Sequence, residues 1–125
     1  MKREVARRKQ SKSTLAKKLD KAWSEAGKRR ANYMCEVCKS NVNLNSHHIV
    51  GRRNMRLRWD LRNCVCLCVK HHKFGIQSAH EDPLWFREWL EEKRWKDYSY
   101  LYCVKNEIKK WSIEEMEELL NKLST

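Results

Sequence analysis

Apolar positions along this 125-residue chain fall into short groups whose spacing predicts its elements. Leu15, Leu19, Ala22, Trp23 and Ala26 recur at helical intervals with lysines opposite, which predicts an amphipathic helix capped by Ser13 or Thr14 and stopped by Gly27. Ser46 to Val50 reads as a strand, Gly51 to about Asp60 as a loop and Leu61 to Leu67 as a returning strand, with a helix beginning near Cys68 to His72. Asp82 and Pro83 suit the cap and first turn of another helix, in which Trp85, Phe86, Trp89 and Leu90 form a stripe better suited to a core than to stacking on bases. Leu101, Val104 and Ile108 predict a helix between Tyr98 and Ile108. Ser112 to Glu115 is a capping box, and Ile113, Met116, Leu119, Leu120 and Leu123 make one apolar face behind it. Met1 to Lys12 has no face to bury and is expected to be a mobile arm.

Charge divides the chain unevenly. The formal net charge is +12, and residues 1 to 30 alone carry +9, with twelve Lys or Arg against three Asp or Glu. A basic helix is often no more than a solvated face, but Lys17, Lys18 and Lys21 would suit contacts with the phosphates of DNA. No run of about eighteen apolar residues is present, so no membrane span is expected. A domain of this size buries a modest core and gains from a metal cross-link. Nothing resembling an apolar signal segment follows Met1-Lys2-Arg3, so the six cysteines are expected in a reduced, cytoplasmic setting, with thiolates on metal rather than in disulfides.

Two dyads with two-residue gaps, Cys35/Cys38 and Cys68/His71, have the types and spacing of a four-coordinate zinc site. Cys66 is an alternative to Cys68 or His71 as a ligand, although Cys64 and Cys66 suit a strand face as small buried hydrophobes. Between the dyads lies a second set of groups: His47-His48, then Asn63 fifteen residues on, then His72 nine residues further. These could bind one divalent metal and hold a general base beside it, which is the equipment for hydrolysing a phosphodiester. His80 is a possible addition to that site, as a third ligand or a phosphate contact. Arg52, Arg53, Arg56, Arg58 and Arg62 crowd the intervening loop as candidate backbone clamps, with Asp60 expected to anchor one of them.

From Cys35 to about Trp95 the chain resembles the HNH nucleases of the ββα-metal fold, particularly the short zinc-stapled forms common in bacteriophages. The resemblance rests on Cys35 and Cys38, His47-His48-Ile49, Asn63 and Leu67-Cys68-Val69-Lys70-His71-His72. The family more often has cysteine at the position of His71, and many members have aspartate at that of His47. The resemblance implies an α+β fold: a basic arm and helix (1–30), a zinc-stapled HNH core (31–96) and a C-terminal helical extension (97–125). It also implies that His47 and His72 hold the catalytic metal, that His48 is the general base, and that Asn63 fixes the loop bearing it. The implied activity is metal-dependent cleavage of DNA with little sequence preference. Magnesium or manganese is the expected ion, with zinc, nickel or cobalt tolerated. A homodimer or accessory phage proteins are possible partners. The competing readings are a non-catalytic, zinc-stabilised DNA-binding module, for which the second set of residues would be superfluous, and a packaging or recombination accessory that keeps those residues but acts through a partner.

Overall fold

The computed structural model describes residues 10–125. It is an α+β molecule built on a two-stranded antiparallel sheet and four α-helices. Helix α1 spans Lys12–Arg30, strand β1 Leu44–His48 and strand β2 Cys64–Cys68, followed by α2 (Pro83–Lys93), α3 (Trp95–Val104) and α4 (Ile113–Leu123). No helix among the described residues is long and apolar enough to cross a membrane.

Helix α1 starts earlier and ends later than its pattern predicts. The cap is Ser11, whose hydroxyl accepts from the Thr14 amide, rather than Ser13 or Thr14. Gly27 does not end the helix, which continues for almost a turn with Lys28, Arg29 and Arg30 at its C-terminus, where cations offset the helix dipole. Gly27 has a different use: a Cβ there would lie 2.3 Å from Cys64 Sγ and 3.2 Å from Ser46 Oγ, so its absence lets α1 press onto the sheet. The arm expected before this helix falls largely outside the described residues.

The strands pair from Leu44↔Cys68 to His48↔Cys64. Strand β1 thus lies two residues earlier than Ser46–Val50. The expected strand from Leu61 to Leu67 is instead one tight turn, Leu61–Asn63, leading into β2. All five β2 residues are buried because the strand separates two cores. On one side Cys64 joins Leu15, Leu19, Trp23 and Ala26 of α1, Trp59 of the loop and Met116 and Leu123 of α4. On the other, Val65 and Leu67 pack with Phe86 and Leu90 of α2 and with Cys35.

The helix expected near Cys68 to His72 is a single wide turn, Lys70–Phe74, closed by the Gly75 amide on the Lys70 carbonyl at 2.7 Å. A Cβ at Gly75 would stand 2.3 Å from that carbonyl oxygen, so glycine is what allows the turn to close. Downstream, the Asp82 cap, Pro83 and the Ser112/Glu115 capping box take their expected places. Helix α3 runs from Trp95 to Val104, ending before Ile108.

Candidate metal centres and the cleft beside them

The first knuckle is a tight turn: the Cys35 amide donates to the Ser40 carbonyl, the Lys39 amide to the Cys35 carbonyl, and Lys39 adopts φ 66°. It faces the end of β2 and the wide turn after it, bringing Cys35, Cys38, Cys68 and His71 together. Cys38 Sγ lies 3.7 Å from Cys68 Sγ, and His71 Nδ1 lies 3.3 Å from Cys68 Sγ and 3.9 Å from Cys35 Sγ. A zinc tetrahedron with the usual bond lengths has S···S edges of about 3.8 Å and S···N edges of about 3.6 Å, so the four groups fit that ion and can hold it. Burial pushes the Cys35 thiol up, but the amides of Cys38, Cys68 and Val37 outweigh it and bring the thiol below its ordinary value. Burial pushes Cys64 and Cys66 up to about 11, as inert packing thiols, and neither belongs to the cluster.

Glu36, between the two cysteines, was not singled out by sequence pattern. Its carboxylate accepts from the Cys66 amide at 2.7 Å and from Arg94 Nη1 at 3.0 Å, tying the knuckle to β2 and to the start of α3.

A second cluster comprises His47, His72 and His80. His47 lies on the α2 side of β1, its ring edge-on to Phe86, His72 and His80 at centroid distances of 5.0 to 5.2 Å. His72 directly follows His71, the histidine of the thiolate cluster. His80 returns to it because the Ala79 amide donates to the His71 carbonyl and the His80 amide to the His72 carbonyl, at 2.8 and 3.1 Å. The result is a separation of 3.1 Å between His72 Nε2 and His80 Nε2. Two imidazoles on one ion stand about 3.0 to 3.4 Å apart at ordinary bond lengths and angles. His72 Nδ1 is buried and has no hydrogen-bond partner among the described residues, so the protein leaves this ring's polar capacity unmet. Burial, with the neighbouring rings, pushes His47 down to about 3; burial, His80 and Lys73 push His72 down to about 4. Both rings are neutral at pH 7 and keep a lone pair for a cation.

His48 points to the other face, as strand alternation requires. Its ring stacks on Trp23 of α1 at 3.8 Å, 9° from parallel, and Nε2 donates to the Arg58 carbonyl at 2.9 Å. A carbonyl can only accept, so Nε2 carries the hydrogen and the neutral ring presents its lone pair at Nδ1. Burial lowers its pKa, against the opposing effect of the Arg58 carbonyl and Asp20. At the strand end His47 and His48 nevertheless line one cleft of about 490 Å³, together with His80, Arg87 and Lys105.

Asn63 is fully buried and fixes the loop that follows His48. Its Oδ1 accepts from the Val50 amide at 2.6 Å, and its Nδ2 donates to the carbonyls of Val50 and Leu57 at 2.9 and 3.1 Å.

The arginines of that loop are mostly engaged within the molecule. Arg58 grips Asp20 of α1 with two bonds, at 2.9 and 2.7 Å, and Arg52 reaches the same carboxylate at 3.3 Å. Arg56 meets Glu107, while Arg62 pairs with Asp60, as expected for that residue, and lies over the Tyr100 ring. Arg53 has no ion pair among the described residues and is exposed. Arg52 also remains 65% exposed at its side chain, so these two are the most available to a ligand. Lys17, Lys18 and Lys21 are exposed on α1. Asp20 and Trp23, which hold Arg58 and the His48 ring, were not singled out from sequence as site residues. A lone carboxylate among Lys17, Lys18 and Lys21 was the available signal for Asp20.

Comparison of the chain with family models, with curated proteins and with solved structures finds no match.

Proposed function

We propose that the chain is a metal-dependent DNA endonuclease of the HNH type, with a structural zinc held by Cys35, Cys38, Cys68 and His71. The observation that carries this reading is the placement of His48. A neutral imidazole, clamped by Trp23 and the Arg58 carbonyl, lines one cleft with His47 and His80, two members of a three-imidazole cluster that a folding role would not need. His47 and His72, joined by His80, are the residues that would hold a catalytic cation. Such an ion supplies stabilisation of charge on the phosphate and on the departing 3′ oxygen. Three imidazoles make a softer set than carboxylates, which favours manganese, zinc, nickel or cobalt over magnesium.

In the proposed reaction His48 Nδ1 takes a proton from water, whose oxygen attacks phosphorus opposite the 3′ oxygen; the P–O3′ bond breaks, and the 3′ oxygen leaves with the bonding pair and takes a proton from solvent. Charge formed on the ring is shared through Nε2 with the Arg58 carbonyl. Asn63 keeps Val50 and Leu57 in register, and so holds the loop that carries that carbonyl. Arg52 and Arg53, exposed in the loop after the cleft residue Gly51, with Lys17, Lys18 and Lys21 of α1, neutralise flanking phosphates.

The test is nicking and linearisation of supercoiled plasmid by zinc-loaded protein across a panel of divalent metals, beside His48→Ala. The reading predicts metal-dependent cleavage that falls by about two to four orders of magnitude in the variant, with DNA binding retained. Absence of cleavage with every metal, or a variant as active as the parent at pH 7, would refute it.

A further inference from the structure

Between His72 and His80 the chain makes a short excursion whose base is closed and whose tip is bare. The base is held by the His71–Ala79 and His72–His80 backbone bonds and by Ser78, which is fully buried, accepts from the Glu81 amide at 3.1 Å and donates to the Lys73 carbonyl at 3.4 Å. The near side is fixed by Gly75 against Lys70. A segment held this firmly could easily turn its apolar residues inward. Instead Phe74 is 79% exposed and Ile76 92%, two of the three most exposed large apolar side chains among the described residues.

Charge identifies the surface this tip suits. Lys70 and Lys73 flank it, and the chain has no carboxylate between Asp60 and Glu81. From Val37 to His80 there are eight Lys or Arg and one acid, Asp60, which is already paired with Arg62. An apolar point on a cationic base, next to imidazoles suited to a phosphate-bound cation, matches how proteins enter a duplex: side chains such as Phe and Ile wedge between base pairs while cations hold the backbone.

We propose that Phe74 and Ile76 are a wedge that enters the base stack of duplex DNA at the step beside the phosphate held by the His47/His72/His80 cluster. Kinking at that step would open the backbone toward His48, and cleavage would follow ease of unstacking rather than base identity. Pyrimidine–purine steps and mismatches would therefore be favoured. The inference rests on the nuclease reading for its choice of phosphate, but unstacking is measurable without cleavage.

The experiment uses full-length, zinc-loaded protein in a His48→Ala background and a short duplex carrying 2-aminopurine at several positions. Binding should raise the fluorescence severalfold, and Phe74→Ala/Ile76→Ala should abolish the rise while zinc content stays the same. With His48 restored, the double change should slow cleavage of paired duplex about tenfold or more and affect a duplex with a mismatched bubble little, because the bubble is already unstacked. Phe74→Trp should retain the response. A fluorescence rise that survives the double substitution overturns the wedge even if the protein cleaves DNA; a rise that depends on Phe74 and Ile76 supports it even if the protein cleaves nothing. Loss of self-association in sedimentation, with the DNA response unchanged, would reassign the tip to a contact between copies of the chain.

Discussion

His48 sits at the end of a strand, where an imidazole would ordinarily sample several rotamers, and it is restrained from two directions. Trp23 covers one ring face and the Arg58 carbonyl fixes one nitrogen, so both the plane and the tautomer are set by the fold itself. The carbonyl is itself held because Arg58 grips Asp20, which also accepts from Trp59 Nε1 at 2.8 Å. Burial pushes the Asp20 carboxyl up, but the hydrogen bonds from Arg58 and Trp59 and the charges of Arg58 and Arg52 outweigh it and hold the group below its ordinary 3.8. The folded state therefore releases this proton more readily than the unfolded chain. Stability from the ionised carboxylate is complete above about pH 4 to 5 and is lost as pH falls through the folded value. Asp20→Asn should cost about 1–2 kcal/mol at pH 7. The difference in melting temperature from the parent protein should shrink as pH drops toward 3. Acid release of the thiolate cluster is common to both proteins and cancels in that comparison. A gap independent of pH would mean that the Asp20 charge contributes nothing.

Among the elements, α1 presses directly onto β2 at Gly27. Alanine is the better helix former by about 1 kcal/mol, yet its methyl would meet Cys64 Sγ at 2.3 Å in a strand buried on both faces. Gly27→Ala should therefore destabilise the protein by about 1–3 kcal/mol in denaturant titration; a gain in stability would show that α1 can lift off the sheet at little cost. This contact also explains why sequence pattern mistook the residue for a helix stop: its reason lies in Cys64, far along the chain. Signals confined to neighbouring residues were legible, as in the Asp82-Pro83 entry, the Ser112/Glu115 box and the two ligand dyads, because cap geometry and knuckle spacing involve only a few residues. The cap of α1 was ambiguous because Ser11, Ser13 and Thr14 offer three hydroxyls within one turn. The wide turn at Lys70–Phe74 depends on one bond from Gly75 that no apolar periodicity encodes. At the site, His47, His72 and His80 were recognised by residue type. Trp23, read as part of the apolar face of α1, and Asp20, on a helix whose polar face was read as basic, could be connected to His48 and Arg58 only once the chain was folded.

At the scale of the whole molecule, charge follows the order of the chain: residues 1–80 carry a formal +15 and residues 81–125 carry −3. Both candidate metal clusters belong to the basic part, while the acidic part contributes packing helices. Neighbouring peptide units serve two different centres, since His71 completes the thiolate cluster and His72, the next residue, belongs to the imidazole cluster. If the proposed zinc and the proposed second cation both bind, their ligands share one peptide unit, so ordering at one centre is passed to the other. Whatever free energy a zinc would lend a second cation by fixing His72, that cation would return as tighter zinc retention, because linkage is reciprocal. Zinc affinity, measured against a competing chelator, should therefore rise when manganese is added, and by the same factor that manganese affinity falls when zinc is stripped. His72→Ala should remove the effect without changing the zinc ligands. On the proposed nuclease reading, loss of zinc would then weaken the imidazole centre as well as the thiolate one, making activity a gauge of the zinc supply.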